Sequence, residues 1–295
     1  KATRVPVKLE VLDLTLPRHR TLFWDSWFDM DTVSRYYGGE HCDIETFETN
    51  MRMLSRYRAV PGLYGWIALD QYVDVWREED GGFTFDFSRL DPWIEITQRY
   101  GNLWNPNLSC NSGWFSIFHR KNLHGLVRDR ATGEKLTLED IPERSAVNST
   151  YTLIYEKFMQ AYVKHLAANG WLETARLEKW DEPVRERVEP CKEHHAYMQK
   201  IVPRLKLMAW GLRPVTDDWA VGYTDVWAPN LSAWYDELPG IRRRRKEGEE
   251  VFAYTCGAGY KSPDQRYMVP DINIWDPNIQ RRVYAWIYHK LELDG

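Results

Sequence analysis

The stretch Leu177-Glu178-Lys179-Trp180-Asp181-Glu182-Pro183 decides how the rest of the chain is read. A short strand-like run ends on two adjacent carboxylates, and a proline follows at once. Just upstream, residues 150–169 carry the clearest helical spacing in the sequence. Leu153, Tyr155, Phe158, Tyr162 and Leu166 fall on one side, and Gly170 is the stop. A helix, a strand over 171–180, an acidic pair and a second helix over 184–201 form the rhythm of a β/α fold. Asp181 and Glu182 then stand where a strand gives way to a loop. Adjacency alone proves little: with 43 acidic residues among 295, about six such pairs are expected by chance. Glu78-Glu79, Glu139-Asp140, Asp217-Asp218, Asp236-Glu237 and Glu249-Glu250 are others. Context has to separate the pair from these.

Outward from the pair the rhythm continues. Downstream, strands are expected over 205–210, 223–229 and 251–256, with a helix starting over 232–238 and a last helix over 276–290 that has Pro277 in its first turn. Upstream, buried strands are expected over 21–27, 63–70 and 102–110, and 83–87 alternates like a hairpin arm. Helices fall over 44–57, with Asp43 as N-cap and Phe47, Met51 and Leu54 inward, and from Asp91-Pro92 to Tyr100, closed by Gly101. Residues 119–147 are polar and without periodicity, a long connection of the kind that is usually functional or mobile. Residues 5–16 alternate apolar and polar, so 1–17 is expected to be a half-buried strand and linker from an upstream β element.

Strands alternating with helices at this spacing predict an α/β fold with a parallel sheet. At this length the expectation is a (β/α)8 TIM-like barrel over 18–295. Seven strands are legible, and an eighth would begin where Leu293-Asp294-Gly295 ends the sequence. The expected barrel therefore lacks its last strand or closes otherwise; an open doubly wound sheet is the alternative.

Composition narrows the function classes. A formal net charge of -4 gives no general attraction to nucleic acid. The run from Arg242 to Lys246 reads as a solvated helix end. No apolar run approaches the roughly 20 residues of a membrane span. Cys42, Cys110, Cys191 and Cys256 form no CxxC pair, so no metal or cofactor is expected, and Cys110 and Cys256 read as buried thiols. The sequence opens on Lys1 with no signal-peptide pattern in it, as a processed chain would too, and three Asn-x-Ser/Thr matches, at Asn107, Asn148 and Asn230, do not set a secretory route. The outlier is aromatic content, 15 Trp and 17 Tyr. Many will be core, yet Trp and Tyr beside carboxylates also stack on the apolar faces of sugar rings.

In a parallel barrel the carboxyl ends of the strands line one mouth, where active sites lie. The expected strands end in Asp25 with Trp24 and Trp27, Asp70, Asp181 with Glu182, Trp210, Asp225 with Trp227, and Tyr254. Taken singly, Asp70 and Asp225 read as helix caps or ion-pair partners; together, the six ends suit a glycan. Most glycosidases set two carboxylates on opposite sides of the scissile bond, which neighbouring residues do not easily reach. Adjacent carboxylates suit a substrate whose own 2-acetamido oxygen is the nucleophile. One then steadies the amide N–H while the other protonates the leaving oxygen and later activates water.

The segment from Tyr155 to Pro183, with Lys164 to Trp171 running into Trp180-Asp181-Glu182-Pro183, resembles the catalytic region of glycoside hydrolase family 123, the β-N-acetylgalactosaminidases. The likeness continues through 201–206, 225–229, 254–257 and 282–286. It implies a barrel hydrolysing β-linked N-acetylgalactosamine, or a related N-acetylhexosamine, with retention through an oxazolinium intermediate. By the family's motif Asp181 would be the acetamido stabiliser and Glu182 the general acid/base, with Tyr254 or Tyr223 on the acetamido carbonyl. Trp24, Asp70, Trp210, Asp225 and Trp227 would line the sugar site. The partner is then a glycan or glycoconjugate, and a secreted or periplasmic setting follows if that glycan is extracellular. Members usually carry an N-terminal β-sandwich, of which only 5–16 is matched here, and an aromatic strand past the final glycine. Two other readings stand beside this one: a non-catalytic carbohydrate-binding barrel, and a two-carboxylate glycosidase on neutral hexosides with Asp225 or Asp70 as nucleophile.

Overall fold

The computed structural model describes residues 6–15, 25–27, 35–36, 38–39, 42–56, 60–62, 72–100, 127–136, 150–180, 188–210, 221–222, 224–229, 234–254, 286 and 289–290. Strand β1 (Asp25–Trp27) pairs in parallel with β2 (Val60–Gly62), and helix α1 (Ile44–Arg56) connects them. The helix starts at Asp43, whose Oδ1 accepts the Thr46 N–H at 2.7 Å; that bond holds the Asp43 carboxyl below its usual range. Phe47 and Met51, one turn apart, are buried and Leu54 is half-buried, as the spacing predicts. The strands expected over 63–70 and 102–110 lie outside the described residues.

A second sheet has the order β4-β3-β5. Strands β3 (Asp74–Arg77) and β4 (Phe83–Asp86) form an antiparallel hairpin, so the alternating 83–87 arm finds its partner just upstream. Its turn runs through Gly81 at φ 80°, and the Gly82 N–H returns to Asp80 Oδ1 at 2.8 Å. β5 (Val127–Asp129) adds in parallel to β3. Residues 119–147 are therefore not wholly irregular. Three residues are too few to show a period, yet Asp129 accepts the Ala131 and Thr132 N–H groups at 3.0 and 3.1 Å and Gly133 takes φ 73°. Arg77–Asp129 at 2.9 Å and Arg130–Glu78 at 3.1 Å tie β5 to β3 and its turn.

Helix α2 (Asp91–Arg99) opens with Pro92 in its first turn, and α3 (Thr150–Ala168) lies across β4. Phe158 meets Phe85 edge-on at 5.6 Å, and Tyr162 meets Phe87 at 6.0 Å. Each fully buried side chain of this size contributes about 1.5–3 kcal/mol of transfer free energy. His165, in the last turn of α3, stacks on Phe87 at 4.7 Å, and its Nε2 lies 2.6 Å from Asp91 Oδ1 at the start of α2. Gly170 ends α3 at φ 73°, the Trp171 N–H reaching back to the Leu166 carbonyl at 2.9 Å. A 3-10 turn over Leu172–Thr174 follows, so the strand expected over 171–180 starts only at Arg176. That turn is fixed by the Thr174 hydroxyl donating to the Trp171 carbonyl at 3.0 Å.

The four-stranded parallel sheet runs β6 (Arg176–Trp180), β7 (Lys206–Trp210), β8 (Val226–Ala228), β9 (Glu250–Val251) in order. Helix α4 (Val188–Ile201) connects β6 to β7, and α5 (Trp234–Lys246) connects β8 to β9. Both faces are covered, as an all-parallel sheet requires. Leu177 and Leu207 join the cluster of Phe158, Met198 and Ile201 on the helical side. Met208, Val226, Ala228 and Phe252 form a separate buried cluster, the alternation of the strands setting them on the other face. Between α3 and α4 the Tyr197 hydroxyl donates to Glu156 Oε2 at 3.4 Å; burial, then the Glu156 charge, push that hydroxyl up to about 12.

Residues 6–15 belong to no strand. Val7 and Val11 are each 85% exposed, so the half-buried strand expected there is not formed among its described residues. Alternation supplies an apolar face, but a strand also needs a ladder partner and a core to cover that face.

At the amino ends of the sheet, Arg176 makes two 2.8 Å bonds to the Glu250 carboxylate and donates to the Glu173 and Ala175 carbonyls at 2.9 and 2.8 Å. Lys206 bonds Glu250 as well. Burial pushes the Glu250 carboxyl up, but hydrogen bonds from Arg176 and Lys206 outweigh it and hold the group below its usual value. A carboxyl lowered on folding stabilises above its unfolded value and loses that contribution as pH falls through the folded one. Glu250→Gln is therefore expected to cost about 3 kcal/mol at pH 7 and to flatten the stability loss below the ordinary carboxyl range. Urea denaturation of both proteins between neutral and acid pH checks it.

Candidate active site

Because β6 to β9 run parallel, their carboxyl ends (Trp180, Trp210, Ala228 and Val251) share one edge. Backbone bonds extend that edge: the Phe252 N–H donates to the Trp227 carbonyl at 2.7 Å and the Tyr254 N–H to the Pro229 carbonyl at 3.1 Å. Tyr254 is half-buried, packed against the Met208, Val226, Ala228 and Phe252 cluster. Trp210 closes β7 beside Ala228. The chain leaves β6 at Trp180 and passes directly into Asp181-Glu182. Asp181, Glu182, Trp24, Asp70 and Tyr223 lie outside the described residues.

β6 is irregular just before the pair. Leu177 pairs with Leu207 and Glu178 with Met208, but Trp180 pairs with Ala209. Two steps on β6 match one on β7, so Lys179 is an extra residue in the ladder.

Asp225 sits elsewhere. It precedes β8, and its N–H donates to the Leu207 carbonyl at 2.9 Å while its Oδ2 accepts the Leu207 N–H at 2.8 Å. Gln199 on α4 donates to both carboxylate oxygens, at 3.3 and 3.1 Å. Leu207 is the second residue of β7, so Asp225 belongs to the amino edge, opposite the strand ends where a mouth was expected. Trp227, in the middle of β8, has no exposed surface. Its Nε1–H donates to Glu249 Oε2 at 2.8 Å, and the Arg244 guanidinium lies 5.6 Å from its ring centre. Burial pushes the Glu249 carboxyl up, and the Arg244 charge and the Trp227 bond offset this only in part.

The structure thus brings Tyr254 and the end of β7 to one edge, sets Asp225 at the other and packs Trp227 in the core. Sequence reasoning missed Arg176 and Lys206, and it passed over Glu249-Glu250 as a chance doublet. Strand alternation was the available signal: neighbours at a strand start face opposite ways, and these two carboxylates do serve opposite faces. Among the described residues no three His, Cys, Asp or Glu side chains converge as a metal site, and no helix is long and apolar enough to cross a membrane.

Truncating Asp225 leaves the Leu207 N–H without its acceptor. Asp225→Ala is expected to lower unfolding free energy by about 1–3 kcal/mol, read from a urea melt. An unchanged melt would contradict the bracing role.

The catalytic-domain model of glycoside hydrolase 123 matches residues 27–295. Among solved structures, a family 123 glycoside hydrolase from Clostridium perfringens, described in terms of glycolipid glycan hydrolysis, aligns with TM-score 0.56 and 16% identity over 93% of this chain and 48% of its own. That likeness is one of fold, and the chain spans about half the length of that relative. A β-glucuronidase from Parabacteroides merdae aligns at TM-score 0.36 and 10% identity over 82% of this chain and 24% of its own. An α-L-arabinofuranosidase from Thermotoga maritima aligns at 0.32 and 12% over 72% and 46%. No curated protein sequence matches the chain.

Proposed function

The chain belongs to the glycoside hydrolase 123 family, and on that premise we propose that it cleaves a glycosidic bond at the carboxyl edge of its parallel sheet, with Asp181 and Glu182 as the catalytic pair. The supporting observation is that β6, the first strand of that sheet, runs straight into the pair. We read the sheet as one arc of a (β/α)8 barrel spanning 18–295. The second buried face, with Met208, Val226 and Phe252 above the Arg176–Glu250–Lys206 layer, suits a barrel interior.

The substrate we propose is a β-linked N-acetylgalactosamine or related N-acetylhexosamine. Glu182 gives its proton to the leaving oxygen as the bond to C1 breaks. The acetamido carbonyl oxygen bonds C1 from the opposite face, forming the oxazolinium ion. Asp181, accepting the amide N–H, balances the charge that develops on nitrogen. Glu182, now a carboxylate, takes a proton from water, which attacks C1 and reopens the ring. Two inversions give net retention. For the first step Glu182 must be protonated near neutrality, and a neighbouring Asp181 carboxylate favours that. We assign the Tyr254 hydroxyl to the acetamido carbonyl, since Tyr254 packs at the carboxyl edge. Trp210 closes the neighbouring strand there and is the aromatic we assign to the sugar.

A two-carboxylate reaction with Asp225 as nucleophile fits poorly, because that carboxylate accepts bonds from Leu207 and Gln199 at the amino edge. Glu182→Gln is expected to lower turnover of a chromogenic aryl N-acetyl-β-galactosaminide about 1,000-fold with an unchanged thermal melt. The matching galactoside without the acetamido group is expected to be inert. Full activity in the variant would sink the proposal.

A further inference from the structure

We propose that residues 6–12 pair with the same residues of a second copy of this chain, forming a two-fold antiparallel ribbon centred on Leu9. Pattern and burial disagree in this segment. Val7, Leu9 and Val11 alternate with Lys8 and Glu10, the period of a half-buried strand, yet they are 85%, 83% and 85% exposed. Leu12 and Leu14 follow, also exposed. So many large apolar side chains side by side in water mark an interaction site. The backbone there belongs to no strand, so it is open to a ladder partner.

The charges select the partner and the register. Laid in parallel at equal height, Lys8 of two copies would meet Lys8 and Glu10 would meet Glu10, and like charges directly opposite destabilise a ladder. An antiparallel pair centred on Lys8 or on Glu10 sets a like pair on the two-fold axis. Centred on Leu9, it sets Lys8 opposite the partner's Glu10 on both sides of the axis. Val7 then meets the partner's Val11, and Leu9 meets its own copy. A parallel pair staggered by two residues makes the Lys8–Glu10 contact once and does not close on itself. The antiparallel ribbon makes it twice.

Pro6 settles the hydrogen-bond phase. Opposed residues of an antiparallel pair alternate between hydrogen-bonded and non-hydrogen-bonded positions. With Leu9 at a hydrogen-bonded position, Pro6 falls at a non-hydrogen-bonded one, three steps away, where its missing N–H is not called on. Lys8 and Glu10 then also stand at non-hydrogen-bonded positions, where opposed Cα atoms approach to about 4.5 Å. On the outer edge of the ribbon, the same proline withholds a donor from a third strand. The apolar face consists of Val7, Leu9 and Val11 from each copy. Two strands alone are marginally stable, so the association is weak, reversible and governed by concentration.

Analytical ultracentrifugation of the 295-residue chain tests this. The mass is expected to rise from one chain toward two between about 1 and about 500 µM, following mass action. Lys8→Glu and Glu10→Lys are each expected to stay monomeric over that range, since each sets like charges opposite. Mixed in equal amounts, the two variants are expected to pair, because every opposed couple is then one acid and one base. A second arm reads the register by disulfide formation, which needs Cα atoms within about 7 Å. On mild oxidation Leu9→Cys is expected to link two copies at least about ten-fold faster than Val7→Cys, scored by mass spectrometry of the linked peptide. Val7→Cys mixed with Val11→Cys is expected to match Leu9→Cys. All four positions are exposed or solvent-facing, so each variant is expected to keep the parent's melt. A chain that stays monomeric at every concentration overturns the proposal, and is the result expected if another β-sheet takes this strand. A dimer indifferent to both charge reversals overturns it too, as does Val7→Cys linking as fast as Leu9→Cys.

Discussion

A parallel sheet has to be covered on both faces, and that constraint orders the second half of this chain. With helices on one side and the Met208–Val226–Phe252 cluster on the other, charged side chains fit only at the strand ends or in mutual pairs. At the amino ends they pair: Arg176 meets Glu250 across the sheet, Lys206 joins them, and Asp225 closes β8 onto β7. The carboxyl ends carry no such pairs among the described residues, and the proposed reaction is assigned to them. On that reading, bracing and catalysis are divided between the two edges.

The same division explains why adjacent carboxylates behave so differently along the chain. Glu249 and Glu250 sit at the start of a strand, so one bonds the indole of Trp227 on the helical side and the other bonds Arg176 on the far side. Asp181 and Glu182 follow the end of a strand, past an irregular step in the ladder. Two acids placed together there cannot flank a sugar from both sides. They can act on one side of it if the substrate supplies its own nucleophile, and the acetamido group is the commonest such neighbour on a hexosamine.

Much of the architecture was legible from residues alone. The 3.6 period through Phe158, Tyr162 and Leu166 located α3, the Asp43 cap located the start of α1, and the fifth strand falls within a residue of β7. What escaped was short or contextual. β5 has three residues and no period to read, and Trp171 to Thr174 follow a helix stop that the residue types alone do not separate from a strand start. Alternation over 6–15 promised a buried face that the fold leaves exposed, because burial depends on a partner. Asp225 and Trp227 were read as strand-end residues from local sequence. Register decides such matters: the strand expected over 223–229 starts only at Val226, which leaves Asp225 at the edge opposite the strand ends. The Lys179 step was illegible for the same reason, since an extra residue is visible only against the strand beside it.

The central claim is that the substrate's acetamido oxygen, assisted by Asp181, attacks C1. It is tested most directly with aryl N-acetyl-β-galactosaminides whose acetamido methyl carries none, one, two or three fluorines. Fluorine withdraws electrons from that oxygen and leaves the leaving group untouched. The account predicts that kcat/KM falls steeply and monotonically with each fluorine. A rate indifferent to fluorination would place the nucleophile on the protein and contradict it.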